Sequence, residues 1–349
     1  MSTGGVAQLI AIGAQDVYLN GNPEVSFFKS TYRRHTNFAS VTEYQTIQGQ
    51  IAAGGTSTIR LKRSGDLLSS IYFTMVDGVN GTVETDTWSN FIDKVELLVG
   101  GQVIDEQDSV FSEELAPDVM ATTMSKSSIV NIHSGRGTPS RFYPLRFFFC
   151  DHWQAALPLV ALQYHDVELR ITWGANATSY TWEAYANYIL LDAMERRMFT
   201  ESSHEILMYQ VQKTLGSNTK VQDLFFNNPV KFMASSNSLG INALASVTNK
   251  IKLQINGTDV TDFRFSAPNF TSVQSYYNTS HSYGNDTDHF VYSFCLDTSK
   301  LQPTGSFNFS RVDSVRLLSQ NDAITRNIYA VNYNILKIEN GMGGLMFAN

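Results

Sequence analysis

Asp93-Lys-Val-Glu-Leu-Leu-Val-Gly-Gly-Gln-Val-Ile104 returns, 156 residues later (250 − 94), as Asn249-Lys-Ile-Lys-Leu-Gln-Ile-Asn-Gly-Thr-Asp-Val260. Lys94 matches Lys250, Leu97 matches Leu253 and Gly101 matches Gly257. Each copy alternates apolar and polar residues, breaks at Gly100-Gly101 or Asn256-Gly257, and resumes with an apolar residue. Alternation around a two-residue break of Gly and Asn is the pattern of a β-hairpin whose turn needs positive φ. A hairpin repeated about half a chain later predicts two similar β-domains. A second echo sets Tyr164-His-Asp166-Val-Glu-Leu-Arg-Ile171 beside Arg311-Val-Asp313-Ser-Val-Arg-Leu-Leu318 at a separation of 147 (313 − 166).

The chain has 349 residues, room for about two domains on the usual size range. Hydrophobic residues make up 43%, enough for real cores, but charged residues only 16%, against roughly 25% in ordinary soluble domains. Surface poor in charge is often surface that meets other protein, so the composition suits a subunit of a large assembly. The formal net charge of −7 argues against direct nucleic-acid binding, which calls for a basic face. Cys150 and Cys295 each follow an aromatic run and read as buried small side chains of a protein kept in a reducing compartment. No secretory signal opens the sequence, and no apolar run approaches the ~20 residues of a membrane span, so a soluble protein is expected.

Strand signals follow one another, separated by Gly, Asn, Asp and Pro clusters: Thr56 to Lys62, Leu67 to Val76, Arg141 to Cys150, Val167 to Trp173 and Tyr188 to Leu191. They resume at His204 to Gln212, Val230 to Ala234, Lys250 to Ile255, Val291 to Leu296, Ser314 to Leu318 and Tyr329 to Ile338. Ser109 to Leu115 reads as a short helix, and Asp192 to Ser203 as a capped helix between the halves. Ala267 to Asp288 reads as a long exposed loop, and the tail from Gly341 is too Gly-rich for a strand interior. No helix pattern alternates with the strands, which disfavours an α/β fold.

Several longer stretches carry a resemblance. They include Phe27-Phe-Lys-Ser-Thr-Tyr-Arg-Arg-His-Thr-Asn-Phe-Ala39 and the hairpin Val95 to Asp105. They include also the junction Ala186-Asn-Tyr-Ile-Leu-Leu-Asp-Ala-Met-Glu-Arg-Arg-Met-Phe199 and Phe226-Asn-Asn-Pro-Val-Lys231. Leu301-Gln-Pro-Thr-Gly-Ser-Phe-Asn-Phe-Ser-Arg-Val-Asp313 and Asn332-Tyr-Asn-Ile-Leu-Lys-Ile-Glu-Asn-Gly-Met-Gly-Gly-Leu345 complete the series. In order and content it resembles the major capsid proteins of large eukaryotic nucleocytoplasmic DNA viruses, at the short end of that family's lengths. The resemblance implies an all-β fold of two tandem eight-stranded jelly-roll sandwiches, a double jelly roll, with short connecting helices. The expected organisation is an N-terminal arm (1–25), a first jelly roll (26–192), a helical linker (193–204) and a second jelly roll ending in the Gly-rich tail (205–349). It also implies a homotrimer of pseudo-hexagonal outline that tiles an icosahedral shell assembled inside the host cell, in its cytoplasm. Minor capsid and penton proteins would be neighbours, with an internal membrane close by, and no cofactor is implied.

Against that background the candidate sites are few. Lys29, Arg33, Arg34 and His35 form the densest positive cluster. It is either an inward-facing contact at the capsomer base or a solvated cluster paired with nearby acids. Gly100, Gly101, Asn256 and Gly257 are the turn positions. Asn269, Asn278 and Asn285 begin Asn-x-Ser/Thr triplets that a cytosolic chain would not present to the usual transferase. His133, His152 and His165 lack metal-ligand spacing, His204-Glu205 lacks the second His of a zinc-protease helix, and Glu113-Glu114 point apart on a helix. No nucleophile has a placed base. Two other readings of a tandem jelly roll are a glycan-binding protein and a glycoprotein amidase; neither accounts for the motif series.

Overall fold

The computed structural model describes residues 3–79, 81–85, 87–127, 140–237, 242–280 and 289–347. The chain divides into two compact units, Met1–Asn37 and Phe38–Asn349. In the first, helices Thr3–Ile10 and Asp16–Asn20 carry no buried residue. This unit runs on past the residue-25 boundary expected from its turn signals, because the first strand begins only at Phe38.

The second unit contains four antiparallel sheets, two from each half of the sequence. One sheet runs β1 (Phe38–Gln45), β10 (Thr181–Leu191), β3 (Leu67–Asp77), β4 (Gly81–Thr82), with the two-residue strands β7 (Tyr143–Pro144) and β8 (Leu157–Pro158) also on β3. Facing it is β2 (Thr56–Arg60), β9 (Val167–Trp173), β5 (Ile92–Val99), β6 (Gln102–Asp108). The second half repeats the order. Its sheets are β11 (His204–Thr214), β20 (Ile328–Glu339), β13 (Pro229–Ser235), β17 (Phe290–Ser293), and β12 (Val221–Asp223), β19 (Val315–Ser319), β14 (Lys250–Ile255), β15 (Thr258–Asp259). Short strands β16 (Arg264–Phe265), β18 (Phe307–Asn308) and β21 (Met342–Leu345) extend them. With β7 on β3 answering to β17 on β13, and the remaining short strands as additions, each half is an eight-stranded sandwich in jelly-roll order, and helix Ala193–Glu201, N-capped by the Asp192 carboxylate, joins them.

Alternation explains the clearest strands. Val167, Leu169, Ile171 and Trp173 of β9 point into the first core and the residues between them are half-buried. Opposite them stand Leu97 and Val95 of β5. In the second half Leu317 of β19 pairs with Leu253 of β14. Since Leu97 pairs with Leu169 and corresponds to Leu253, the repeat separation in this strand is 148 (317 − 169). The alignment of Asp166 with Asp313 is therefore one residue out of phase, a slip that would turn every side chain to the other face.

Other expectations also needed correction. Arg141 to Cys150 contributes only β7, then coils into a one-turn helix, Phe148–Asp151, because its aromatic run is buried on all sides and has no strand face. The stretch from Ala267 is not an open loop as far as residue 280: helix Ser272–Asn278 occupies it, and Phe270 and Thr271 are buried. The glycine-rich tail does form a strand, β21, hairpinned to β20. Glycine is needed there for room, since a Cβ on Gly343 would lie 2.6 Å from Leu162 Cδ2. Among the described residues no helix is long and apolar enough to cross a membrane.

Candidate functional site

The two sandwiches meet along a seam built largely from carboxylates of the first half and hydrogen-bond donors of the second. Strand β6 and the helical run that follows it, residues 109–119, supply most of the acids. Val211 N donates to Asp105 Oδ1 at 2.9 Å, and Gln107 Nε2 donates to Oδ2 at 2.8 Å. Burial pushes Asp105 up to about 7 despite those bonds. Asp108 accepts from Tyr329 OH at 2.7 Å and from Lys213 Nζ at 3.0 Å. Glu114 accepts from Ser236 Oγ, and Asp118 lies 3.3 Å from His289 Nε2. Asp151 accepts from Tyr209 OH at 2.5 Å, and that hydroxyl reaches Arg146 O at 3.0 Å. Burial beside these acids raises both Tyr209 and Tyr329 well above the ordinary phenol range.

Around these polar contacts the first core continues into the second half through Met208, Phe232, Val291, Val331 and Ile338. A buried lysine, Lys231, sits at an irregularity in the β13–β20 register, donates to Lys300 O at 2.9 Å and lies 5.7 Å from the Tyr333 ring centroid. Burial lowers it to about 8. The seam is a mechanical device. Donors and acceptors that would cost several kcal/mol if buried alone are satisfied only while the two sandwiches stay together.

Sequence reasoning did not find this seam. Glu113 and Glu114 were expected to point apart on a helix; both are buried, in a π-helical segment (Phe111–Leu115), and Glu114 crosses to the second half. The signal was available: Phe111, Leu115 and Val119 recur at i, i+4, i+8, so a short helix with acids on its remaining faces has to bury some of them.

The repeated turns have left-handed backbones at both positions, with φ of 58° and 82° at Gly100 and Gly101 and 47° and 79° at Asn256 and Gly257. The first residues of the two turns serve different neighbours. Asn256 Oδ1 accepts from Asp313 N and Ser314 N, both at 3.0 Å. Gly100 instead admits the His165 ring, whose Nδ1 would lie 2.4 Å from a Cβ there. That ring ties the C-terminal hairpin to the first half, Nδ1 lying 2.9 Å from Gly343 O.

In the N-terminal unit, Lys29, Arg33, Arg34 and His35 lie exposed in a stretch without regular structure. Among the described residues none of them forms an ion pair; His35 Nδ1 lies 2.9 Å from the carbonyl of Thr36. Asn269 Nδ2 donates to Phe265 O and Asn278 Nδ2 to Cys295 O, both at 2.9 Å. Asn285 and His133 lie outside the described residues. His152 is half-buried and lowered by that burial, and His204 Nε2 donates to Phe199 O at 2.7 Å. Cys150 and Cys295 are free thiols, and burial beside Asp151 pushes Cys150 up to about 12. Among the described residues no group of three or more His, Cys, Asp or Glu could hold a metal ion.

Two family descriptions match this chain: "Major capsid protein N-terminus" over residues 26–198 and "Large eukaryotic DNA virus major capsid protein" over residues 234–344. The major capsid protein of Pyramimonas orientalis virus is 35% identical over 99% of this chain and 100% of its own length. The chain belongs to the major capsid proteins of large eukaryotic DNA viruses. Another member, from Paramecium bursaria Chlorella virus 1, is 32% identical over 99% of this chain and all of its own. The capsid protein VP54 of the same virus, in a solved structure, superposes with a TM-score of 0.76 at 28% identity, covering 93% of this chain and 100% of that one. The Faustovirus major capsid protein shares the fold at a TM-score of 0.63 and 12% identity, covering 94% of each chain. The tandem sandwiches of this capsid protein are a double jelly roll.

Proposed function

We propose that this chain is the structural unit of a virus shell: three copies form a pseudo-hexagonal capsomer, and capsomers tile the facets of an icosahedral particle. The observation that carries the reading is the relatedness of the whole chain, not of one motif, to major capsid proteins. The duplicated sandwich supplies its physical logic. Two similar wedges per copy put six similar walls around a threefold axis, which one wedge per copy cannot do. A seam that locks the wedges together keeps their angle fixed, as a flat tiling requires.

In this reading the chain has no catalytic role. Its neighbours are further capsomers, minor capsid and penton proteins and, beneath, a membrane, and the shell is built in the host cytoplasm. Lys29, Arg33, Arg34 and His35 serve at the capsomer base, against acidic partners. Light scattering on the purified chain is expected to give three times 39.0 kDa. A monodisperse species of one copy at high protein concentration would contradict the reading.

A further inference from the structure

The seam inside the chain has a counterpart that stands open. Tyr209 and Tyr333 face each other across β11 and β20, and the first half covers Tyr209, which is 4% exposed and donates to Arg146 O. Their equivalents in the first half are Tyr44 and Tyr185, which face each other across β1 and β10. Two details fix the equivalence. The separation 333 − 185 is the same 148 residues that relates Leu169 to Leu317 in the neighbouring strand. Each first tyrosine is also followed by a fully buried glutamine, Gln45 or Gln210. Yet Tyr44 is 46% exposed, and Phe38, on the same face of that strand, is exposed as well.

The covering element is repeated too. Inside the chain, Gln210 Nε2 donates to Ile104 O at 2.5 Å, and Ile104, on β6, is 1% exposed. The equivalent of Ile104 is Val260, at the separation of 156 that the hairpin register gives, and Val260 is 48% exposed. Beyond β6 come the helical residues 109–119 that complete the seam; beyond Val260 come exposed Phe263 and Phe265 and helix Ser272–Asn278 with exposed Tyr276. The chain therefore displays one uncovered receiving face and one unused covering edge, the two parts of a joint it has already made once.

We propose that the receiving face around Phe38, Tyr44 and Tyr185 of one copy is covered by the Val260–Phe265 edge and helix Ser272–Asn278 of a second copy, repeating between chains the seam within the chain. The inference rests on the capsomer reading and adds its contact surfaces. Charge agrees with the match. The receiving face carries Glu183, which accepts from Tyr185 OH at 2.8 Å but forms no ion pair among the described residues, and the covering edge carries Arg264, which forms none either. The surfaces differ, so the contact is heterologous, and a joint made alternately within and between chains can close into a ring of three copies. Aromatic faces of this kind supply much of the free energy of protein interfaces.

Sedimentation analysis of the full chain and three variants tests this. Tyr44→Arg and Val260→Asp each place a charge in the joint from an exposed position, while Val79→Arg alters an exposed residue outside it. The expected result is a mass of three copies for the wild type and Val79→Arg. Tyr44→Arg and Val260→Asp should each fall to one copy with an unchanged melting temperature. If either charged variant fails to fold, Tyr44→Ser and Val260→Ser are expected to raise the trimer dissociation constant at least tenfold. A trimeric wild type with trimeric Tyr44→Arg or Val260→Asp overturns the assigned surfaces and leaves the capsomer reading standing. A wild type that is itself a single copy overturns the capsomer reading, and this joint with it.

Discussion

Asp105 carries the largest stake at the scale of single residues. Its proton is held more tightly folded than unfolded, at about 7 against an ordinary 3.8. The stability it contributes is complete below about pH 4 and is lost as pH rises through about 7. Its surroundings, Gln107, Val211 N and the Glu106 carboxylate, include no cation to reverse that sign. Between pH 5 and 8 the wild type should lose about 2–3 kcal/mol relative to Asp105→Asn, read from urea midpoints at each pH. Parallel curves would show that the carboxyl is not buried as described. The two turns make a sharper comparison. Gly257→Ala meets only the left-handed φ, with nothing within 4 Å of the new Cβ, and should cost about 1–2 kcal/mol. Gly100→Ala meets a similar φ and the His165 ring as well, so it should cost more. Equal losses in chemical denaturation would contradict that steric account.

At the scale of elements, how much could be read in advance depended on whether a strand has two different faces. Strands β9 and β14 alternate because one face meets a core, and the hairpin repeat was legible from residue types alone. β1 escaped notice because its residues Phe38 to Thr42 are exposed on both faces, which leaves no alternation to detect. The Arg141–Cys150 run failed for the opposite reason, burial on every side. The β6 part of the seam was illegible because its partners lie about a hundred residues away or more: nothing local distinguishes Asp105 or Asp108 from a solvated acid. The C-terminal hairpin was misjudged because glycine's cost in a strand was weighed without its benefit. With Leu162 and Val99 pressed against Gly343, Gly343→Val should cost about 1–3 kcal/mol. Hydrogen exchange should localise the loss to β21 and residues 162–165, and a loss spread evenly over the second sandwich would argue against docking there.

For the whole molecule, the duplication matters less as ancestry than as geometry. One joint is closed by covalent continuity, and its open copy gives the chain something to bind that resembles itself. The basic cluster near residue 33 belongs to a different task in this reading, contact with what lies under the capsomer. Arg33→Glu with Arg34→Glu should therefore leave capsomer mass and melting temperature unchanged while reducing the yield of closed particles at least severalfold; normal particle yields would remove the cluster from assembly. The most direct test of the central claim is single-particle imaging of the purified chain. The account predicts threefold particles with six similar lobes, each pair of neighbours joined in the same way. Isolated two-lobed particles, or assemblies in which the Tyr44 face remains open to solvent, would contradict it.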